Sequence, residues 1–190
     1  MVSQNDLISK RKVDYEGIDE LWWVTSDKGA FIGPLRDWKE GRDKFLKGII
    51  HGTVIQAGGN CGMYARFYGN YFTNVYSFEP HPLNFECLKR NCQGNKYHLY
   101  NVAVGHTESK CQIQGTGKNG KNVGRFQVEE SSEGNVDLIT IDSLNLDRCD
   151  LIHLDIEGFE YNALIGAITT IVKFKPKVIL EFGNGKEVIE

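Results

Sequence analysis

From Thr53 onward the chain alternates between two hydrophobic patterns. Short apolar runs, many with β-branched residues, occur at 53–57, 74–80, 98–105, 151–154 and 177–182, as expected of strands buried on both faces. Between them apolar residues fall three or four apart, at Met63–Tyr68, in Pro82–Cys92 through Leu83, Phe85 and Leu88, and in Glu160–Ile171 with Leu164, Ile165 and Ile168 as the inner face. That spacing predicts helices. Strands alternating with helices predict an α/β fold, a doubly wound, mostly parallel sheet of Rossmann-like plan.

Upstream the pattern changes. Residues 1–20 are polar and read as a loosely fixed arm. Apolar runs at Leu21–Thr25 and Ala30–Ile32, around Ser26–Gly29, read as an N-terminal β-hairpin. Trp38, Phe45, Leu46, Ile49 and Ile50 then mark a helix over 37–50. Residues 1–50 thus make an N-terminal part packed as one body on a main unit of 51–190. A second, internal hairpin is predicted at 111–128, where alternating runs flank a glycine-rich 115–122. That tip nearly matches a phosphate loop, but Asn122 replaces the magnesium-binding hydroxyl and no helix follows, which excludes an NTPase. Asp137–Leu144 alternates and predicts a further strand. Val178–Leu180 is apolar on both faces with few residues after it, so its edge needs a cover; a two-fold homodimer is the expected one.

Composition narrows the class. The 190 residues are 41% hydrophobic and 25% charged with net charge −3, which describes one domain with a real core and no basic footprint for nucleic acid. No apolar leader and no run of 18 apolar residues occurs, so a cytoplasmic protein without a membrane partner is expected. The five cysteines are scattered with no C-x-x-C pair and read as free thiols of a reducing compartment. Cys61, inside a glycine turn, is expected to be within reach of alkylating reagents.

Candidate chemistry collects at strand ends. Gly58, Gly59 and Gly62 follow the first core strand, where glycine lets a ligand approach the main chain. A dinucleotide fingerprint needs glycine where Asn60 stands, and 53–65 holds no Lys or Arg, which disfavours an NAD-dependent oxidoreductase. A nucleoside without phosphates, such as S-adenosylmethionine, suits the turn better; a tight turn that binds nothing is the plain alternative. Glu79 follows Gly58 by 21 residues and ends the next strand, the place of a carboxylate that accepts from both ribose hydroxyls. Asn101, past the third strand, is a candidate for the adenine edge, though loop carbonyls could serve equally. Asp155 ends the strand at 151–154, with Glu157 two residues on. The pair could position an acceptor hydroxyl and take its proton. No residue set fixes a metal geometry, so none is assigned.

Six of these stretches, in order, resemble the FkbM-type family of S-adenosylmethionine-dependent methyltransferases: V-I-x-x-G-x-N-x-G at 54–62, F-E-P-x-P at 78–82, A-V-G at 103–105, L-I-T-I-D-S-L at 138–144, L-D-I-E-G-F-E at 154–160 and P-K-V-I-L-E at 176–181. The resemblance implies a class I methyltransferase fold and O-methylation of a sugar or small-metabolite hydroxyl, with S-adenosylhomocysteine as product. It carries cofactor contacts onto Gln56, Gly58, Gly59, Asn60, Gly62, Glu79, Pro80, Asn101 and Asp155, and catalytic roles onto Asp155 and Glu157. Three positions depart from the family pattern. Gln56 stands where Asp is usual, His153 where Lys is common, and the chain stops soon after Glu181, two strands short of a complete sheet of this class. Gln56 and the short C-terminus support the alternative, a non-catalytic binding or scaffolding protein on a decayed methyltransferase fold.

Overall fold

The computed structural model describes residues 6–15, 17–27, 43, 45–49, 51–115, 126–182 and 185–189. Its first element is a hairpin, but not the one expected. β1 (Ile8–Tyr15) pairs antiparallel with β2 (Ile18–Val24), from Ile8 opposite Val24 to Tyr15 opposite Ile18. The polar-looking arm is therefore a strand. Its apolar residues are sparse because one face is wet, yet Ile8 and Val13 are buried together with Ile18, Leu21, Trp23 and Val24. The strand proposed at 30–32 lies outside the described residues, as does most of the helix proposed at 37–50, of which Phe45 and Leu46 are helical and buried.

Among the described residues the main sheet has six strands. β3 (Thr53–Ala57), β4 (Asn74–Phe78) and β5 (Tyr97–Tyr100) run side by side in parallel. On the other side of β3 lie β10 (Leu151–Leu154) and β11 (Lys177–Phe182), also parallel. β12 (Gly185–Ile189) closes that edge antiparallel to β11. The expected uncovered edge at Val178–Leu180 is thus occupied from within the chain, which removes the premise for a second copy at β11. Returning an antiparallel strand needs only a two-residue connection, which the sequence reading did not allow for.

Successive residues of each strand face opposite sides, and both sides are covered. Val54, Leu151 and Ile179 share a core with the hairpin, with α1 (Met63–Tyr68) and with α2 (Pro82–Asn91). Ile55, Ala57, Ile152, Leu154, Val178 and Leu180 pack on the other side with Ala163 and Ala167, from the segment bearing α3 (Glu160–Ile165) and α4 (Ile168–Phe174). That double burial explains why these strands read as unbroken apolar runs. The expected single helix over 160–171 is broken near Gly166, and the break rotates its faces: Ile165 and Ile168 are exposed, while Ala163 and Ala167 take the inner positions.

The third predicted strand also divides. After β5 the chain leaves the sheet at Asn101, and β6 (Ala103–Val104) joins a second, four-stranded sheet in the order β6, β9 (Val136–Ile139), β7 (Ser109–Gly115), β8 (Phe126–Glu130). The antiparallel pair β7 and β8 is the internal hairpin foreseen; its tip, including most of the phosphate-loop lookalike, lies outside the described residues. Among the described residues no helix is long and apolar enough to cross a membrane.

Candidate functional site

The strand order reverses between β3 and β10: the chain continues from β3 to β4 and β5 on one side, then returns to β10 and β11 on the other. In open α/β sheets such a reversal leaves a crevice at the carboxyl ends of the strands, because the connecting segments depart in opposite directions. The turn after β3 and the turn after β10 meet there. The Asp155 N–H donates to the Ala57 carbonyl at 3.1 Å. Gly58 has φ +82°, and a Cβ on it would sit 1.8 Å from the Asp155 carbonyl oxygen, so only glycine fits the approach.

The glycine turn is pinned from several sides. The N–H groups of Gly58 and Gly59 both donate to the Phe78 carbonyl, at 3.1 and 2.8 Å. Beneath it Gln56 is fully buried; its Nε2 donates to the Gly58 carbonyl at 2.9 Å, and its Oε1 accepts from Ser77 Oγ at 2.7 Å. Gln56 therefore supports the turn from inside the sheet, and its neutral amide suits a position with no water. Glu79 reaches across from the end of β4. Its Oε2 accepts from the Asn60 N–H at 2.6 Å and its Oε1 from the His81 N–H at 2.8 Å. Burial pushes this carboxyl up to about 7, against the pull of the His81 and Asn60 backbone donors. The Asn84 side chain also hydrogen-bonds this carboxylate, so three of its roughly four acceptor sites are engaged.

Asn101 is exposed and donates to the carbonyls of Glu79 at 2.7 Å and Pro80 at 3.0 Å, fixing the path after β4. Asp155 and Glu157 are half-buried on the turn after β10; Glu157 has φ +52°, and its carbonyl accepts from Gln127 of β8. Thus Gly58 with Asp155, Asn60 with Glu79, and Pro80 with Asn101 come together as three contacts around one strand-end crevice.

Two hollows adjoin Pro80. One, of about 20 Å³, is lined by Gly58, Phe78, Val104, Val128, Ile156 and Phe159 among others. The other, of about 420 Å³, opens between Pro80, His81 and Asn101 on one wall and Ile113, Phe126 and Asp137 on the other. The second is within the size range of a small-molecule pocket. Sequence reasoning missed its far wall: the Phe126 ring lies 4.2 Å from the His81 ring and within 6° of parallel. Burial lowers the His81 imidazole, favouring its neutral form, and its Nδ1 is buried without a hydrogen bond. Missed too was Glu160, 6% exposed, whose carboxylate accepts from the N–H groups of Ile156 and Gly158. An acid in the first turn of a helix after glycine was the available signal. Cys61 corrects an expectation: it is fully buried and burial raises its thiol well above the usual range, so it is shielded from alkylation. Among the described residues no three His, Cys, Asp or Glu side chains converge to hold a metal ion.

The residues at this crevice fit a phosphate-free nucleoside carrying a sulfonium. Acids stand at 79, 155 and 157 with no Lys or Arg in either turn, and the glycine turn offers close backbone approach.

The profile of the methyltransferase FkbM domain matches residues 56–188. The crystal structure of methyltransferase FkbM from Methylobacillus flagellatus KT is similar in fold, with a TM-score of 0.50 at 20% identity, over 72% of this chain and 35% of that one. The chain therefore spans about a third of that protein. No curated protein matches it.

Proposed function

The chain belongs to the methyltransferase FkbM domain family, and from that premise we propose that it is an S-adenosylmethionine-dependent methyltransferase acting on a hydroxyl of a sugar or small metabolite. The strand order, with core on both sides, supports reading the main sheet as doubly wound and Rossmann-like. The observation that carries the proposal is the buried Glu79 at the end of β4, gripping the glycine turn through Asn60 while its carboxylate, bonded also by His81 and Asn84, keeps acceptor capacity for a ribose hydroxyl.

S-adenosylmethionine, when bound, supplies an electrophilic methyl on a cationic sulfur. This chain's part is to hold, align and deprotonate. Glu79 takes the ribose, with Pro80 and Asn101 beside the adenine and the backbone of Gly58–Gly62 against the amino-acid end. Gln56 acts through the turn it supports. Asp155, at the sheet's carboxyl end against Gly58, orients the acceptor hydroxyl and accepts its proton, and Glu157 holds the acceptor or the donor's ammonium group. Alignment alone can lower the barrier by several kcal/mol, up to roughly 7–11 in ideal cases.

Calorimetric titration with S-adenosylmethionine and S-adenosylhomocysteine tests this. Glu79→Ala is expected to weaken binding about tenfold or more, since a charged hydrogen-bonding group contributes roughly 1.5–3 kcal/mol. Asp155→Asn should leave donor affinity within about twofold and cut turnover about a hundredfold or more, the loss of a general base. Absence of binding by the unaltered protein would refute the proposal.

A further inference from the structure

Asn91, the last residue of α2, ties the β1–β2 hairpin to the glycine turn. Its Oδ1 accepts from the Trp22 N–H at 2.7 Å, and its Nδ2 donates to the Trp22 carbonyl at 2.8 Å. Those are the two bonds a neighbouring strand would make to β2, whose sheet among the described residues contains β1 besides. The second Nδ2 hydrogen goes to the Cys61 carbonyl at 2.6 Å, so both donors of the amide are committed. None of these bonds goes to the backbone of α2, where an asparagine serving only to end the helix would place them.

Cys61 lies in the glycine turn, fully buried. One residue earlier the Asn60 N–H is held by Glu79 at 2.6 Å. The turn is therefore gripped at two adjacent residues, by a carboxylate at the end of β4 and by an amide that also grips the hairpin. Apolar packing runs the same way: Leu21, Trp23 and Val24 share one core with Cys61, Met63 and Tyr64, and the Arg90 guanidinium lies 4.8 Å from the Trp22 ring.

We propose that Asn91 is a positioning residue of the donor site, and that the β1–β2 hairpin, which lies outside the family-matched residues 56–188, is a working part of that site. Docking of the hairpin and the binding shape of the turn form together, because one side chain satisfies partly buried backbone groups of both. The coupling is reciprocal: whatever steadies the turn steadies the hairpin. The identity of the ligand rests on the methyl-donor reading; the coupling itself does not.

Amide hydrogen exchange on the full chain separates the two. Asn91→Asp keeps the acceptor for the Trp22 N–H but cannot donate to either carbonyl. Without ligand, it is expected to speed exchange at least tenfold in both the 18–24 and the 58–63 segments. Acceleration confined to the end of α2 overturns the proposal. In the unaltered protein, saturating S-adenosylhomocysteine should slow exchange in the hairpin as well as in the turn; a protected turn beside an unchanged hairpin also overturns it, and this arm decides should the variant not fold. If S-adenosylhomocysteine protects neither segment, the donor reading fails while the ligand-free arm still decides the clamp. With donor bound, Asn91→Asp should raise the donor KM about tenfold and leave kcat within about twofold, a split that general loss of structure does not produce.

Discussion

The turns after β3 and after β10 lie side by side, and each is clamped by a buried glutamate accepting from backbone N–H groups. They differ in where the clamp comes from. Glu160 belongs to the helix that its own turn starts and reaches back two and four residues. Glu79 reaches the glycine turn from the next strand, 19 residues away, while Gln56 supports that turn from below and Asn91 from beside. The second turn is a local motif that carries half-buried acids toward the crevice. The first is a tertiary assembly whose shape depends on four separate segments. Under the proposed function, a methyl donor that must be closely aligned would be better served by the assembly than by the simpler turn.

Gly58→Ala should break the comparison most severely. Its Cβ would strike the Asp155 carbonyl at a position with φ +82°, and backbone cannot yield as a flexible side chain can. A loss of about 4 kcal/mol or more, or failure to fold, is expected from urea unfolding; a loss below about 1 kcal/mol would show that the two turns are not in this contact.

Glu79→Gln tests what long-range clamping costs. Burial raises the folded carboxyl from 4.5 to about 7, so between those values the folded state holds more proton than the unfolded one. Stability then falls as pH rises through that window, by about 3 kcal/mol at most, and levels off above it. Glutamine, with no proton to lose, should flatten the slope in melts run from pH 4.5 to 8. A slope of equal size in the variant would place its origin elsewhere.

Glu160→Ala removes the local clamp, and chemical denaturation should register about 2 kcal/mol, the range for bonds to a charged acceptor. Donor affinity should stay near that of the unaltered protein, since the glycine turn keeps its own clamps. Least costly is Gly158→Ala. This glycine has φ +98° but nothing within 4 Å of an added Cβ, so only backbone strain of about 1–2 kcal/mol remains. A thermal shift as large as that of Gly58→Ala would erase the distinction between the turns.

The parts of this arrangement that the sequence alone determined are those written within a few neighbouring residues. The core strands at 53–57, 74–78, 151–154 and 177–182 came from continuous apolar runs, the glycine turn from its own composition, and the internal hairpin from alternation around a glycine-rich tip. The places of Glu79 and Asp155 at strand ends followed from those runs. Sparse patterns were harder to read. Ile8 and Val13 stand among charges, so a half-wet strand read as an arm, and the break near Gly166 turned Ile165 and Ile168 outward from the inner face expected of them. The second sheet between β5 and β10, the β12 cover over β11 and the Phe126 wall against His81 were decided by the tertiary structure. So was every polar partnership that defines the site: Gln56 with Ser77, Glu79 with Asn60, and Asn91 with Trp22, 69 residues apart in the chain. Periodicity and turn chemistry are free-energy preferences of a short segment. A buried polar group takes whichever partner packing brings within about 3 Å, and only the folded chain selects it.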